Sequence, residues 1–224
     1  RVSRITASRV RIPCSPPSSK AAGYYDTAAL LIQNRCRGEV LGRIYRAYIT
    51  AQSLEILRET DYFSYVSDLF NTPQVQSLGN YEQHLEFDRL KHVVTVSYLT
   101  FLVCSKLRLD KKTAARAALL HDLYYYDWRE NDWCHRPHGY LHPKFALNNA
   151  ESLLGKGKVD KKTKNIILRH MWPLTLTPPS CKEAFVVSLA DKYCAAIELL
   201  ISLSPSFRQS FKKNVSNLLK DAKT

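Results

Sequence analysis

From residue 39 to the end of the chain, apolar residues recur at spacings of three and four, and no stretch of any length alternates apolar with polar. The first pattern lays a stripe along a helix of 3.6 residues per turn; the second is what a half-buried strand requires. The chain is therefore expected to be all-α. Residues 39–58 place Val40, Ile44, Ala47, Tyr48, Ala51, Leu54 and Leu57 on one face. Thr72-Pro73 reads as an N-cap followed by proline at the first helical position. A long apolar helix is expected over 84–107, and an alanine-rich one over 111–126 with Asp110 as its cap. The polar, aromatic stretch 127–141 reads as a loop, and His142-Pro143 opens a helix that Gly155 closes. Asp160 caps a helix running to about His170, the prolines at 173, 178 and 179 forbid helix, and 181–203 is a last core helix. Phe207, Phe211, Val215, Leu218 and Leu219 mark an amphipathic terminal helix.

With 224 residues, the chain is long enough to bury a substantial core without disulfides. Its longest apolar stretch, Val93 to Cys104, is interrupted by Thr95, Ser97, Tyr98 and Thr100. It falls short of the ~20 residues of a membrane span. No membrane partner is expected. The net charge of +13 resides entirely in residues 1–25, 156–164 and 205–224, and the rest of the chain is neutral. Charge at the ends and in one loop reads as solubilising rather than as a basic stripe for nucleic acid. Residues 1–38 are expected to form a basic, disordered tail; the Arg/Ser/Pro-rich start, free of acids up to residue 25, also has the composition of an organellar transit peptide. The six cysteines form no CxxC pair and, with no secretory signal, point to free thiols in the cytoplasm. The expected boundaries are 39–83 for the N-terminal helices, 84–203 for the core domain and 204–224 for the terminal helix.

Chemistry concentrates in the core. His92 lies in RLKHVVTVSYL, His121-Asp122 follows an alanine- and leucine-rich run, and Asp191 lies in VVSLADKYCAA. A carboxylate is almost never buried unless it is paired or holds a cation. Two aspartates and two histidines in apolar frames satisfy one another if a cation sits between them, and mixed imidazole and carboxylate ligands suit Mn, Fe, Ni or Zn better than Ca. Lys144, two residues after His142, and Arg169, beside His170, are either cations of the same site or solvated helix-end charges. Tyr124, Tyr125, Tyr126, Trp128 and Trp133 are either packing residues or a stacking surface, and His135 and His138 are either lid residues or ordinary surface histidines.

The ordered set His92, His121-Asp122 and Asp191 resembles the HD superfamily of metal-dependent phosphohydrolases over roughly residues 84–203. The phrases ARAALLHDLYYYDW, HGYLHPKFALNNAESLL, IILRHMWPLT and SLADKYCAAIE resemble HD-domain proteins of Gram-positive bacteria. The resemblance implies an all-α HD-domain bundle with an N-terminal helical extension, and a metal site made by His92, His121, Asp122 and Asp191. It also implies hydrolysis of a small phosphorylated molecule, a nucleotide for preference, by a metal-activated water, with Asp122 as ligand and base. The ion would be Mn, Fe, Ni, Co, Zn or Mg. His142 and His170 fall where two-metal members complete a second site, but Met171 stands where those members often have a histidine, so the expected second site is weaker. The other readings are a non-catalytic HD module that binds a nucleotide or a protein and, third, a nucleic-acid-binding protein. The oligomeric state is left open.

Overall fold

The computed structural model describes residues 39–84, 87–130 and 133–222; the expected tail, 1–38, lies outside them. Over the described residues the fold is all-α. The elements are α1 (Glu39–Thr50), α2 (Leu54–Arg58), α3 (Asp61–Phe70), α4 (Pro73–Gln76), a 3-10 turn (Ser77–Asn80), β1 (Glu82–His84), β2 (Phe87–Asp88), α5 (Arg89–Lys106), α6 (Lys111–Leu120), a 3-10 turn (Trp133–His135), α7 (His138–Leu154), α8 (Lys161–Arg169), α9 (Lys182–Leu203) and α10 (Pro205–Asp221).

Helix starts follow local hydrogen bonding. Thr72, Asp110, Asp160 and Ser204 each accept a bond from a backbone N–H three residues on, which satisfies donors that a helix leaves unpaired. The continuous helix expected over 39–58 breaks at 51–53, because Ser53 caps a new helix by accepting from the Ile56 N–H. The helix expected from residue 84 starts only at Arg89, where Asp88 caps it through the Lys91 N–H at 2.8 Å. The residues before it form a short ladder instead: β1 and β2 pair antiparallel, Glu82 with Asp88 and His84 with Phe87. The alanine-rich helix stops at Leu120, so His121 and Asp122 sit just past its end. α7 begins at His138, one turn before the expected start, with Pro143 inside it.

α5 is central, packed against α6 and α9, and carries buried side chains along nearly its whole length. One apolar cluster joins α2, α3, the 3-10 turn at 77–80 and α6 to α5 through Leu57, Tyr62, Val66, Leu78, Val93 and Leu119. A second joins α1, α9 and α10 to α5 through Tyr48, Val96, Val187, Ile197, Phe207 and Phe211. α8 packs on α6, α7 and α9. The ends of α6 and α8 therefore meet α5, α7 and α9 at one buried spot. No helix is long and apolar enough to cross a membrane among the described residues.

Candidate metal centre

Six expected site residues meet at that spot. His92 comes from α5, His121 and Asp122 from the end of α6, His142 from α7, His170 from the end of α8, and Asp191 from α9. All six are buried. His92 Nε2 lies 3.1 Å from Asp191 Oδ1, and His121 Nε2 lies 3.6 Å from the same oxygen. Asp122 faces two ways: Oδ2 is 3.7 Å from His121 Nε2, while Oδ1 is 3.2 Å from His142 Nε2 and 3.4 Å from His170 Nε2. The ligand atoms of His92, His121 and Asp191 lie within 4.8 Å of one another, and so do those of His121, Asp122 and His170. His121 belongs to both groups.

The opposite face of each imidazole explains its orientation. His121 Nδ1 lies 2.7 Å from the Ala118 carbonyl, His142 Nδ1 2.9 Å from the His138 carbonyl, and His170 Nδ1 2.8 Å from the Ile167 carbonyl. A carbonyl only accepts, so each Nδ1 donates and, in the neutral ring, each Nε2 presents a lone pair to the centre. His92 Nδ1 does the same to the Glu198 carboxylate at 2.9 Å, the carboxylate–histidine arrangement that orients a metal-binding ring. Two of these nitrogens, His142 Nε2 and His170 Nε2, stand only 2.8 Å apart. His121 Nε2 and Asp122 Oδ1 are buried with no hydrogen-bond partner. Facing lone pairs and orphaned buried polar atoms are costly unless a cation lies between them. These His and Asp groups could thus hold a metal ion, and their nitrogen-and-carboxylate chemistry fits one.

Electrostatics tells the same story. Burial favours neutral carboxyls at Asp122 and Asp191, yet the surrounding histidines outweigh it and hold both well below the usual range, with Lys192 also helping Asp191. Burial also opposes charge on His92 and His121, but their carboxylate neighbours prevail and raise both. Both rings are thereby biased towards the protonated form, which offsets the anions. His170 goes the other way: burial, with His121 and His142 nearby, lowers it to about 4.

Above these groups lies a cleft of 250 Å³. Its cation is Lys192, whose Nζ is 2.7 Å from Asp191 Oδ2 and donates to the His170 carbonyl at 2.6 Å. Neither Lys144 nor Arg169 is among the described residues that line it. Lys144 is exposed, two positions and roughly 200° around α7 from the inward-facing His142, and Arg169 is half-buried and turned ~100° from His170.

Several contributors escaped the sequence reading. Glu198 is buried seven residues after Asp191, two turns along the same face of α9; the argument that picked out Asp191 applies to it equally. His138, read above as lid or surface, lines the cleft and stacks on His142 at 4.4 Å, one turn away on α7. Burial, with His142 nearby, lowers its pKa to about 4. Gln83 donates to Asp122 Oδ2 at 3.0 Å and accepts from Arg89 Nε at 3.0 Å. The Arg89 guanidinium, wholly buried, also donates to the carbonyls of Tyr124 and Tyr126 and lies 3.6 Å over the Tyr124 ring. No spacing signals such a role, because its partners are backbone carbonyls and an amide on a two-residue ladder.

No curated protein and no solved structure matches the chain, so the likeness to Gram-positive proteins gains no support. The family model described as the HD domain matches residues 89–196, a span that contains all six converging residues. Residues 89–196 are therefore similar to the HD domain, the module of a superfamily of metal-dependent phosphohydrolases.

Proposed function

We propose that the chain is a metal-dependent phosphohydrolase that cleaves the phosphate ester of a small molecule, with a nucleotide the favoured class. The observation that carries this reading is the convergence of four imidazole Nε2 atoms and two carboxylates beneath a cleft. His92, His121 and Asp191, with Asp122, would hold one ion; Asp122, His142 and His170 would hold a second, less tightly bound one. A bound divalent ion lowers the pKa of water and polarises a phosphoryl oxygen.

The protein's own groups do the rest. Lys192 offers positive charge at the cleft wall to phosphate oxygens as they gain charge; it takes the role first assigned to Lys144 and Arg169. Asp122, held well below the usual carboxyl range, stays ionised and orients a water O–H through Oδ1 rather than storing its proton. Gln83 and Arg89 fix that carboxylate. In the reaction the water oxygen bonds to phosphorus, the ester P–O bond breaks, and a water proton ends on the departing oxygen.

The test is a screen of phosphomonoesters and phosphodiesters with added Mn, Co, Ni or Mg, run beside Asp122→Ala. Hydrolysis that needs the metal and drops to background in Asp122→Ala is the expected result. Protein that binds metal yet hydrolyses none of the esters would be a binding module instead.

A further inference from the structure

The cleft is polar at its floor and apolar at its rim. Asp122, His142 and His170 at the bottom are almost wholly buried, while Leu174 at the mouth is 68% exposed. Trp128 lines the same cleft and is half-buried, its indole fixed by a 3.3 Å bond from Nε1 to the Gln83 carbonyl and stacked on the His138 ring at 5.9 Å and 27°. Those two rim residues come from different loops, the one before α7 and the one after α8. An exposed leucine and a positioned aromatic ring lining one cleft both gain by being covered, and a planar ring is a shape suited to that.

Charge sets the other limit. Lys192 is the one Lys or Arg lining the cleft among the described residues. Two of its three N–H groups go to His170 and Asp191, and Met171 Sδ, a weak acceptor, lies 3.9 Å from the same nitrogen. A phosphate oxygen could take that third position. A second or third phosphate would lie against the apolar rim, where no described residue lining the cleft supplies a cation to meet it. The volume, about 250 Å³, lies just below the ~300–1,000 Å³ usual for a ligand pocket.

We infer that the substrate, on the hydrolytic reading above, is a phosphomonoester that joins one phosphate to a planar, largely apolar group, as a nucleoside monophosphate or an aryl phosphate does. Trp128 and Leu174 select the group, and Lys192 admits a single phosphate. Hydrolysis releases inorganic phosphate and the ring-bearing alcohol, the water supplying one oxygen and both protons.

The test compares kcat/KM of the metal-loaded protein for phenyl phosphate, a nucleoside monophosphate, glycerol phosphate, a nucleoside triphosphate and bis(4-nitrophenyl) phosphate. Tryptophan fluorescence reports binding of the same compounds. The ring-bearing monoesters should lead the others by about tenfold or more. Leu174→Asp, at an exposed position that the fold does not need, should raise their KM about tenfold with kcat little changed. Trp128→Phe should remove most of the fluorescence response while keeping a ring to stack on. Equal use of the triphosphate, the diester or glycerol phosphate, or an unchanged ranking in Leu174→Asp, would overturn the inference and leave the hydrolase reading standing. If no ester is hydrolysed, that reading fails, and the order of binding by fluorescence then decides this one.

Discussion

Glu198 acts on the centre without facing it. Its carboxylate accepts from His92 Nδ1 and so favours any cation on His92 Nε2, a proton or a metal alike. Glu198→Gln keeps the shape and an acceptor oxygen but removes the charge, and metal affinity should fall about 10–100-fold. The same change weakens the competing proton. The two losses partly offset where His92 is protonated in the metal-free protein, and the full deficit should emerge as pH rises above its raised pKa. Calorimetric titration of metal across pH checks this; equal affinities at alkaline pH would mean that Glu198 only fills space. At this scale the sequence was legible wherever burial itself is the signal. His92, Asp122 and Asp191 announce themselves because an ionisable group in an apolar helix needs a partner, and Glu198 does so by the same logic. Gln83 and Arg89 do not, since an amide and a guanidinium near a helix start read as ordinary surface groups until the chain places backbone carbonyls around them.

Helix ends do double service in this fold. His121 and His170 each follow the last residue of a helix, and each ring donates to a carbonyl three residues back. That bond gives a carbonyl of the last helical turn a side-chain donor, and it fixes the tautomer that turns Nε2 inward. The helices themselves were readable from caps and periodicity, as Asp110, Asp160 and Thr72 show. The β1–β2 ladder was not, because two or three paired residues carry no detectable alternation, and neither was the turn of α7 that brings His138 over His142. A second junction ties three elements together: Glu183, buried on α9, accepts from Lys162 Nζ of α8 at 3.0 Å and from the Asp110 N–H before α6 at 3.2 Å. Burial pushes the Glu183 carboxyl up, but its hydrogen bonds to backbone N–H groups and to Lys162 outweigh that, and its pKa falls below the usual 4.5. Lys162 is about a third exposed, so solvent screening limits the junction, and Glu183→Ala should cost about 1–2 kcal/mol. A lowered folded pKa means that the unfolded chain binds more protons, so this stability is complete above the usual carboxyl pKa and is lost as pH falls through the folded value. Chemical denaturation should show the gap between wild type and variant closing in acid; a gap that persists there would assign the loss to packing.

At the scale of the whole molecule, the centre draws its side chains from α5, α7 and α9 and from the ends of α6 and α8, elements far apart in sequence. An unfolded chain cannot hold them together, so an ion that binds the site must stabilise the entire fold. At a free metal concentration about 100 times Kd, the gain is about 2.7 kcal/mol. For a domain of this size that corresponds to a rise in Tm of about 5–11 °C. The two overlapping groups also predict how the effect divides. His92 belongs only to the group with His121 and Asp191, and His170 only to the one with His121 and Asp122. His92→Ala should therefore abolish the shift seen at low metal concentration, while His170→Ala should keep it and lose only the further rise at higher concentration. Asp122→Ala, which removes the carboxylate proposed for both ions, should lose both. Thermal melts over a metal series, with each variant first shown to keep a helical spectrum, separate these cases. A single shift lost equally in all three variants would mean one shared ion, and no shift with Mn, Co, Ni or Zn would mean that protons alone balance the buried carboxylates.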